Sequence, residues 1–117
     1  FVDDRGSIKN IADGKFGDVA VITSKANSIR ANHVHDHDWH LSYMVSGSMR
    51  YYWRTDLNTE NSESIVVNAG EMIYTPPKAP HKMVFLENSV FIAISGLSRV
   101  QENYEADTKK LLDNFFV

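Results

Sequence analysis

The sequence predicts an all-β barrel or sandwich with a single helix at its C-terminal end, and three observations predict it. Short runs rich in Val, Ile, Tyr, Phe and Trp recur at close, regular spacing between turn-forming pairs such as Asp13-Gly14, Ser46-Gly47, Ala69-Gly70 and Ser95-Gly96. Within one run, Met49, Tyr51 and Trp53 alternate with Arg50, Tyr52 and Arg54, the period of a strand with two unlike faces. Near the end the period changes: Val100, Tyr104, Leu111, Leu112, Phe115 and Phe116 recur at close to helical spacing.

Taken in order, the expected strands cover residues 7–11, 18–23, 31–35, 39–45, 49–54, 64–67, 71–75, 82–86 and 90–95. The polar stretch 55–63 is expected as a surface loop. In the expected helix, Glu102, Glu105 and Asp107 come early and Lys109 and Lys110 late, the order a helix dipole favours. Its apolar side is expected to pack outside the barrel or against a partner subunit.

A chain of 117 residues suits one domain, residues 1–117. The net charge is −3 and no stretch concentrates Lys and Arg, which argues against nucleic acid as a partner. Cysteine is absent, so any metal must be held by nitrogen and oxygen. No apolar run approaches the roughly 20 residues that span a bilayer, and no basic-then-apolar leader opens the chain. The opening Phe1-Val2-Asp3-Asp4 reads as the interior of a longer gene product or a trimmed chain, and the default expectation is cytoplasmic.

Chemistry concentrates in the histidines. Four of the five lie in His33-Val34-His35-Asp36-His37-Asp38-Trp39-His40, and the fifth, His81, follows Pro80 far downstream. His33 and His35 are two apart, so on a strand both imidazoles leave one face and can share an ion. A third ligand must come from a neighbouring strand, and His40, opening the next run, is the candidate. Neutral nitrogen donors suit Zn, Ni, Fe, Co, Cu or Mn rather than Mg or Ca, and with no ligand charge a bound carbonyl is more strongly polarised. His37, between two aspartates, reads as a solvated loop residue; Asp36 and Asp38 read as surface turn residues, with orientation of ligand imidazoles as the alternative.

These residues resemble the two cupin motifs. His33-x-His35 is followed by four residues, His40 in the position usually held by Glu, six residues and Gly47. Gly70, five residues, Pro76, one residue, Lys78, two residues and His81 match the second motif, with Lys78 in place of Gly and Phe85 in place of Asn. The resemblance implies a double-stranded β-helix, the cupin or jelly-roll barrel, with one C-terminal helix. It also implies a divalent transition metal on His33, His35, His40 and His81.

Two further segments resemble the dTDP-4-dehydrorhamnose 3,5-epimerases and related keto-sugar-nucleotide isomerases. These are Phe1-x-Asp3-x-Arg5-Gly6 and Arg30-Ala31-Asn32-His33. The resemblance implies that His33 is the catalytic base or a metal ligand, and that the bound molecule is a nucleotide sugar. Removing a proton beside a ketone needs a base that titrates near neutrality and a group stabilising the enolate oxygen; a divalent ion, Arg30 or Lys82 is a candidate for the second role. Arg5 and Arg30 are candidates for diphosphate contacts, and Tyr52, Trp53 and Tyr74 for stacking on a base or sugar. Two other readings stay open: a dioxygenase holding iron on histidines, and a non-catalytic small-molecule-binding module. A homodimer is expected, with Leu111, Leu112, Phe115 and Phe116 available to cover a partner.

Overall fold

The computed structural model describes residues 1–98 and 100–116. Its body is two antiparallel sheets packed face to face. The first contains β3 (Asp18–Ser24), β10 (Ser89–Ser95), β5 (His40–Ser46) and β8 (Met72–Thr75), hydrogen-bonded in that order. The second runs β11 (Thr108–Lys110), β4 (Ile29–His35), β9 (His81–Phe85), β6 (Ser48–Trp53) and β7 (Glu63–Asn68). Neighbours in the sheets are mostly non-consecutive in sequence, so the chain repeatedly crosses from one sheet to the other, as a jelly roll requires.

The period-two pattern decides which side chains meet between the sheets. Along β9, His81, Met83 and Phe85 are buried while Lys82 and Val84 are half-buried; along β5, His40, Ser42 and Met44 are buried while Leu41 and Tyr43 are half-buried. Met44, Met49, Tyr51, Val67, Met83, Phe85, Phe91 and Ala93 form the principal core. Phe85 and Phe91 stack at 5.6 Å between ring centroids. Full burial of side chains of this size contributes about 1.5–3 kcal/mol each. At the β5–β6 turn Gly47 has φ +86°, and a Cβ there would meet Asn88 O at 2.6 Å, which explains glycine at this point of the motif.

Most expected strands lie within two residues of the observed ones. The first does not: β1 (Val2–Asp3) and β2 (Gly6–Ser7) make a small hairpin, closed by backbone hydrogen bonds between Phe1 and Ile8, and residues 8–11 lie outside the strands. The C-terminal expectation also changes. The helix α1 covers only Gln101–Asp107, and Thr108, with φ −108° and ψ 127°, turns the chain into β11. The reason is the open edge of β4: three residues of β11 pair with His35, Val34 and His33, taking up backbone groups that would otherwise face solvent. Lys109 and Lys110 therefore lie in a strand and not in a last helical turn.

Beyond β11, Leu111 and Phe116 are buried against Val34, with Tyr52 and Phe115 packed beside them, on the outer face of the second sheet. Arg54 clamps this tail, its guanidinium 3.9 Å from the Phe115 ring centroid and donating to Phe115 O at 2.6 Å. Leu111, Phe115 and Phe116 are thus used on the chain's own barrel, which removes them as an argument for a partner subunit; Leu112 remains exposed.

Candidate functional site

Adjacent strands β4 and β9 place His33 opposite His81. A β-bulge interrupts this pairing between Ala31 and His33, where Ala31 and Asn32 take φ of 64° and 56°. The bulge lets consecutive residues Arg30 and Ala31 both border the interior, and it is followed by His33 and His35 on the inner face, with Val34 outside. One nitrogen from each of His33, His35 and His81 lies within 4.8 Å of the others.

The hydrogen bonds set which nitrogens converge. His81 Nδ1–H donates to Ala79 O at 2.9 Å, so its Nε2 carries the lone pair. Burial, reinforced by the charge that His35 and His40 would carry, pushes the His81 pKa down to about 3, although the Ala79 bond opposes the shift. This imidazole is neutral, the form that ligates a metal. His35 Nε2 stands 3.1 Å from His33 Nε2.

His40 is set apart. Its ring stacks on His35 at 4.6 Å, and its Nε2 is bonded to Asp38 Oδ2 at 3.1 Å. Asp38 is only 4% exposed and accepts the Leu97 amide at 2.9 Å through its other oxygen, so it is not the surface turn residue its sequence position suggested. The structure gathers three histidines with mutually close nitrogens and ties the fourth to a buried carboxylate. His37 and Asp36 are exposed in the turn, as expected.

A cavity of about 130 Å³ opens beside these residues, lined by His33, His40, His81, Arg30, Ser42 and Tyr104 together with apolar core side chains. Arg30 also borders a second, polar cavity of about 630 Å³ with Lys25, Ser28 and Asn88, and its guanidinium is tied to Ser24 Oγ and Thr23 O, both at 2.7 Å.

The other expected binding residues lie elsewhere. Arg5 is exposed in the N-terminal hairpin, paired with Asp3 at 2.7 Å, and this guanidinium holds the Asp3 carboxyl below its usual range. Tyr52 and Lys82 face outward, opposite one another on β6 and β9, with Lys82 Nζ 5.4 Å from the Tyr52 ring centroid. Strand parity puts them on the face away from the cavity, because their neighbours Tyr51, His81 and Met83 occupy the inner one. Tyr74 is on edge strand β8, 54% exposed and 6.1 Å from Trp39 between centroids.

The sequence reading missed Tyr104, Asp107 and Thr108. The Tyr104 ring lies 6.4 Å from His33 and 5.7 Å from His35 between centroids, and Asp107 Oδ2 is 3.9 Å from His35 Nδ1. Nothing in their local pattern points to the site; only the pairing of β11 with β4 brings them there.

A jelly roll with paired histidines on adjacent strands of its inner face has the fold of the cupin barrel. Its structural neighbours with this fold are RmlC-like dTDP-sugar epimerases and isomerases. The dTDP-4-dehydrorhamnose 3,5-epimerase of Sulfolobus tokodaii superposes with a TM-score of 0.79 at 12% identity, covering 100% of this chain and 75% of that one. The QdtA 3,4-ketoisomerase of Thermoanaerobacterium thermosaccharolyticum, a double mutant solved with TDP, matches at 0.72 and 20% identity, covering 98% and 84%. The capsular polysaccharide assembling protein CapF of Staphylococcus aureus matches at 0.74 and 26% identity over 95% of this chain, which spans only 33% of that protein. No protein-family model matches the sequence, and no curated protein does. Among the described residues, no helix is long and apolar enough to cross a membrane.

Proposed function

We propose that this chain binds a divalent transition ion through His33, His35 and His81 and isomerises or epimerises a keto-sugar carried on a nucleotide. The observation that carries the reading is the convergence of three imidazole nitrogens beside a cavity that also contains Arg30 and a carboxylate-bound His40. The donor set fits an ion such as Zn, Ni, Fe, Co, Cu or Mn: His81 is neutral, its Nδ1 is occupied by a carbonyl, and its Nε2 lone pair remains. When bound, such an ion polarises a carbonyl oxygen and stabilises the negative charge that develops there.

The protein's own groups divide the remaining work. His40, oriented by buried Asp38, takes the proton from the carbon beside the keto group and returns it. This role passes from His33 to His40 because His33 Nε2 lies against His35 Nε2, inside the ligand cluster. At about 130 Å³ the cavity is below the roughly 300 Å³ of ordinary ligand pockets, so it admits the reacting end of the sugar only. Arg30 stands between it and the larger polar cavity, where Arg30 and Lys25 attract the phosphates. The fold shared with dTDP-sugar epimerases and isomerases supports the substrate class.

Incubating metal-loaded protein with a panel of nucleotide keto-sugars in D2O tests this. The expected result is solvent deuterium at carbon in the recovered sugar, lost in His40→Ala. Exchange that survives His40→Ala but not His33→Ala would return the base to His33. Oxygen uptake by iron-loaded protein with a small diketone or thiol, without exchange, would replace the reading by a dioxygenase. Thermal stabilisation by a nucleotide sugar without exchange would make the chain a binding module.

A further inference from the structure

The C-terminal segment reaches back across the cluster through contacts that bear on one ligand. Thr108 Oγ1 lies 3.1 Å from His35 Nδ1 and also 2.5 Å from Tyr104 O. A hydroxyl has a single proton, and the carbonyl can only accept, so that proton goes to Tyr104 O. The contact with His35 then requires His35 Nδ1–H to donate to Thr108 Oγ1. Asp107 Oδ2, 3.9 Å from the same nitrogen, favours a proton there electrostatically. The Asp107 carboxylate also accepts the amides of His37 at 2.9 Å and Asp38 at 3.0 Å, and its carbonyl accepts that of Asp36 at 3.1 Å. One residue therefore pins the turn that follows His35 while its neighbour sets the ring's proton.

We propose that Asp107 and Thr108 are positioning residues that hold His35 with Nδ1 protonated and Nε2 presented to a metal ion, which makes the C-terminal strap part of the site. The inference rests on the metal reading above for its consequence, but the proton placement on His35 stands independently of it. A ligating imidazole held at its second nitrogen binds more tightly, because the ring's tautomer and orientation are set before the ion arrives.

Two measurements decide it, on the full chain and its variants Thr108→Val, Thr108→Ser and Asp107→Asn. In metal-free protein at pH 8, nitrogen-15 NMR of the imidazoles should show His35 protonated at Nδ1 in wild type and Thr108→Ser, and a mixture of tautomers in Thr108→Val. In zinc competition against a chromophoric chelator, Thr108→Val should bind roughly 10–100-fold more weakly, Thr108→Ser should recover most of the loss, and Asp107→Asn should fall between. Wild-type His35 protonated at Nε2, or zinc affinity of Thr108→Val within twofold of wild type, would overturn the proposal. Wild type that binds no transition ion but shows the Nδ1 tautomer, lost in Thr108→Val, would sink the metal reading and support the placement of the proton.

Discussion

Acidification is the perturbation that most directly interrogates the buried cluster. The unfolded chain takes a proton on His81 near its ordinary value of 6.5, whereas the folded protein holds that imidazole neutral down to about 3, chiefly because burial disfavours the charged ring. Below pH 6.5 the unfolded state therefore binds the extra proton, and folding stability falls as pH falls, until the folded protein also protonates near 3. One such group contributes a slope of about 1.4 kcal/mol per pH unit, so moving from pH 6.5 to 4.5 removes on the order of 2–3 kcal/mol. That is a large share of the 5–15 kcal/mol typical of a domain. Urea denaturation in the presence of a chelator, at half-unit steps from pH 7.5 to 4.5, measures it. His81→Asn is the comparison, since its side-chain amide can donate to Ala79 O as the imidazole does. Wild type should lose stability more steeply than His81→Asn across this window. Parallel slopes would refute the argument, for they would mean that His81 titrates alike in the folded and unfolded states.

Other outcomes follow from the core and its turns. Phe85→Ala, which removes a fully buried ring stacked on Phe91, should destabilise by about 3–5 kcal/mol in chemical denaturation. Tyr51 and Thr75 share a buried hydroxyl–hydroxyl hydrogen bond, and burial pushes the Tyr51 phenol up to about 12. Tyr51→Phe and Thr75→Val should each cost about 1–3 kcal/mol by stranding the other hydroxyl; the double variant should cost less than their sum, and strict additivity would deny the bond. Gly47→Ala forces a Cβ onto Asn88 O in a left-handed backbone and should lower the urea midpoint, whereas an unchanged midpoint would mean that the β5–β6 turn is free to relax.

Much of the barrel is legible in the sequence because its determinants are local. Alternation along β5, β6 and β9 names an inner face, and turn residues punctuate it, so parity alone assigns Met49, Tyr51, Met83 and Phe85 to the core. The same parity puts Tyr52 and Lys82 outside, so their polar and aromatic character does not make them binding residues of the cavity. His33 and His35 are legible together for the same reason, being two apart on one strand. Their meeting with His81 follows from the motif spacing and is realised by the pairing of β4 with β9.

The remainder depends on which strands become neighbours, and local pattern does not contain that. Helical spacing runs from Val100 to Phe116, yet the free edge of β4 offers backbone hydrogen bonds that outweigh helix continuation beyond Asp107. Asp38 looked like a turn aspartate, and burial beneath Leu97 and against His40 made it part of the site. Asp107 and Thr108 lie about seventy residues from His35 and reach it through β11. Sequence by itself determined the strand faces and the supply of imidazole nitrogens, since a side chain's direction is set by its own backbone. Tertiary structure decided which histidine is tied to a carboxylate and which C-terminal residues meet His35, since those contacts depend on how separate segments pack.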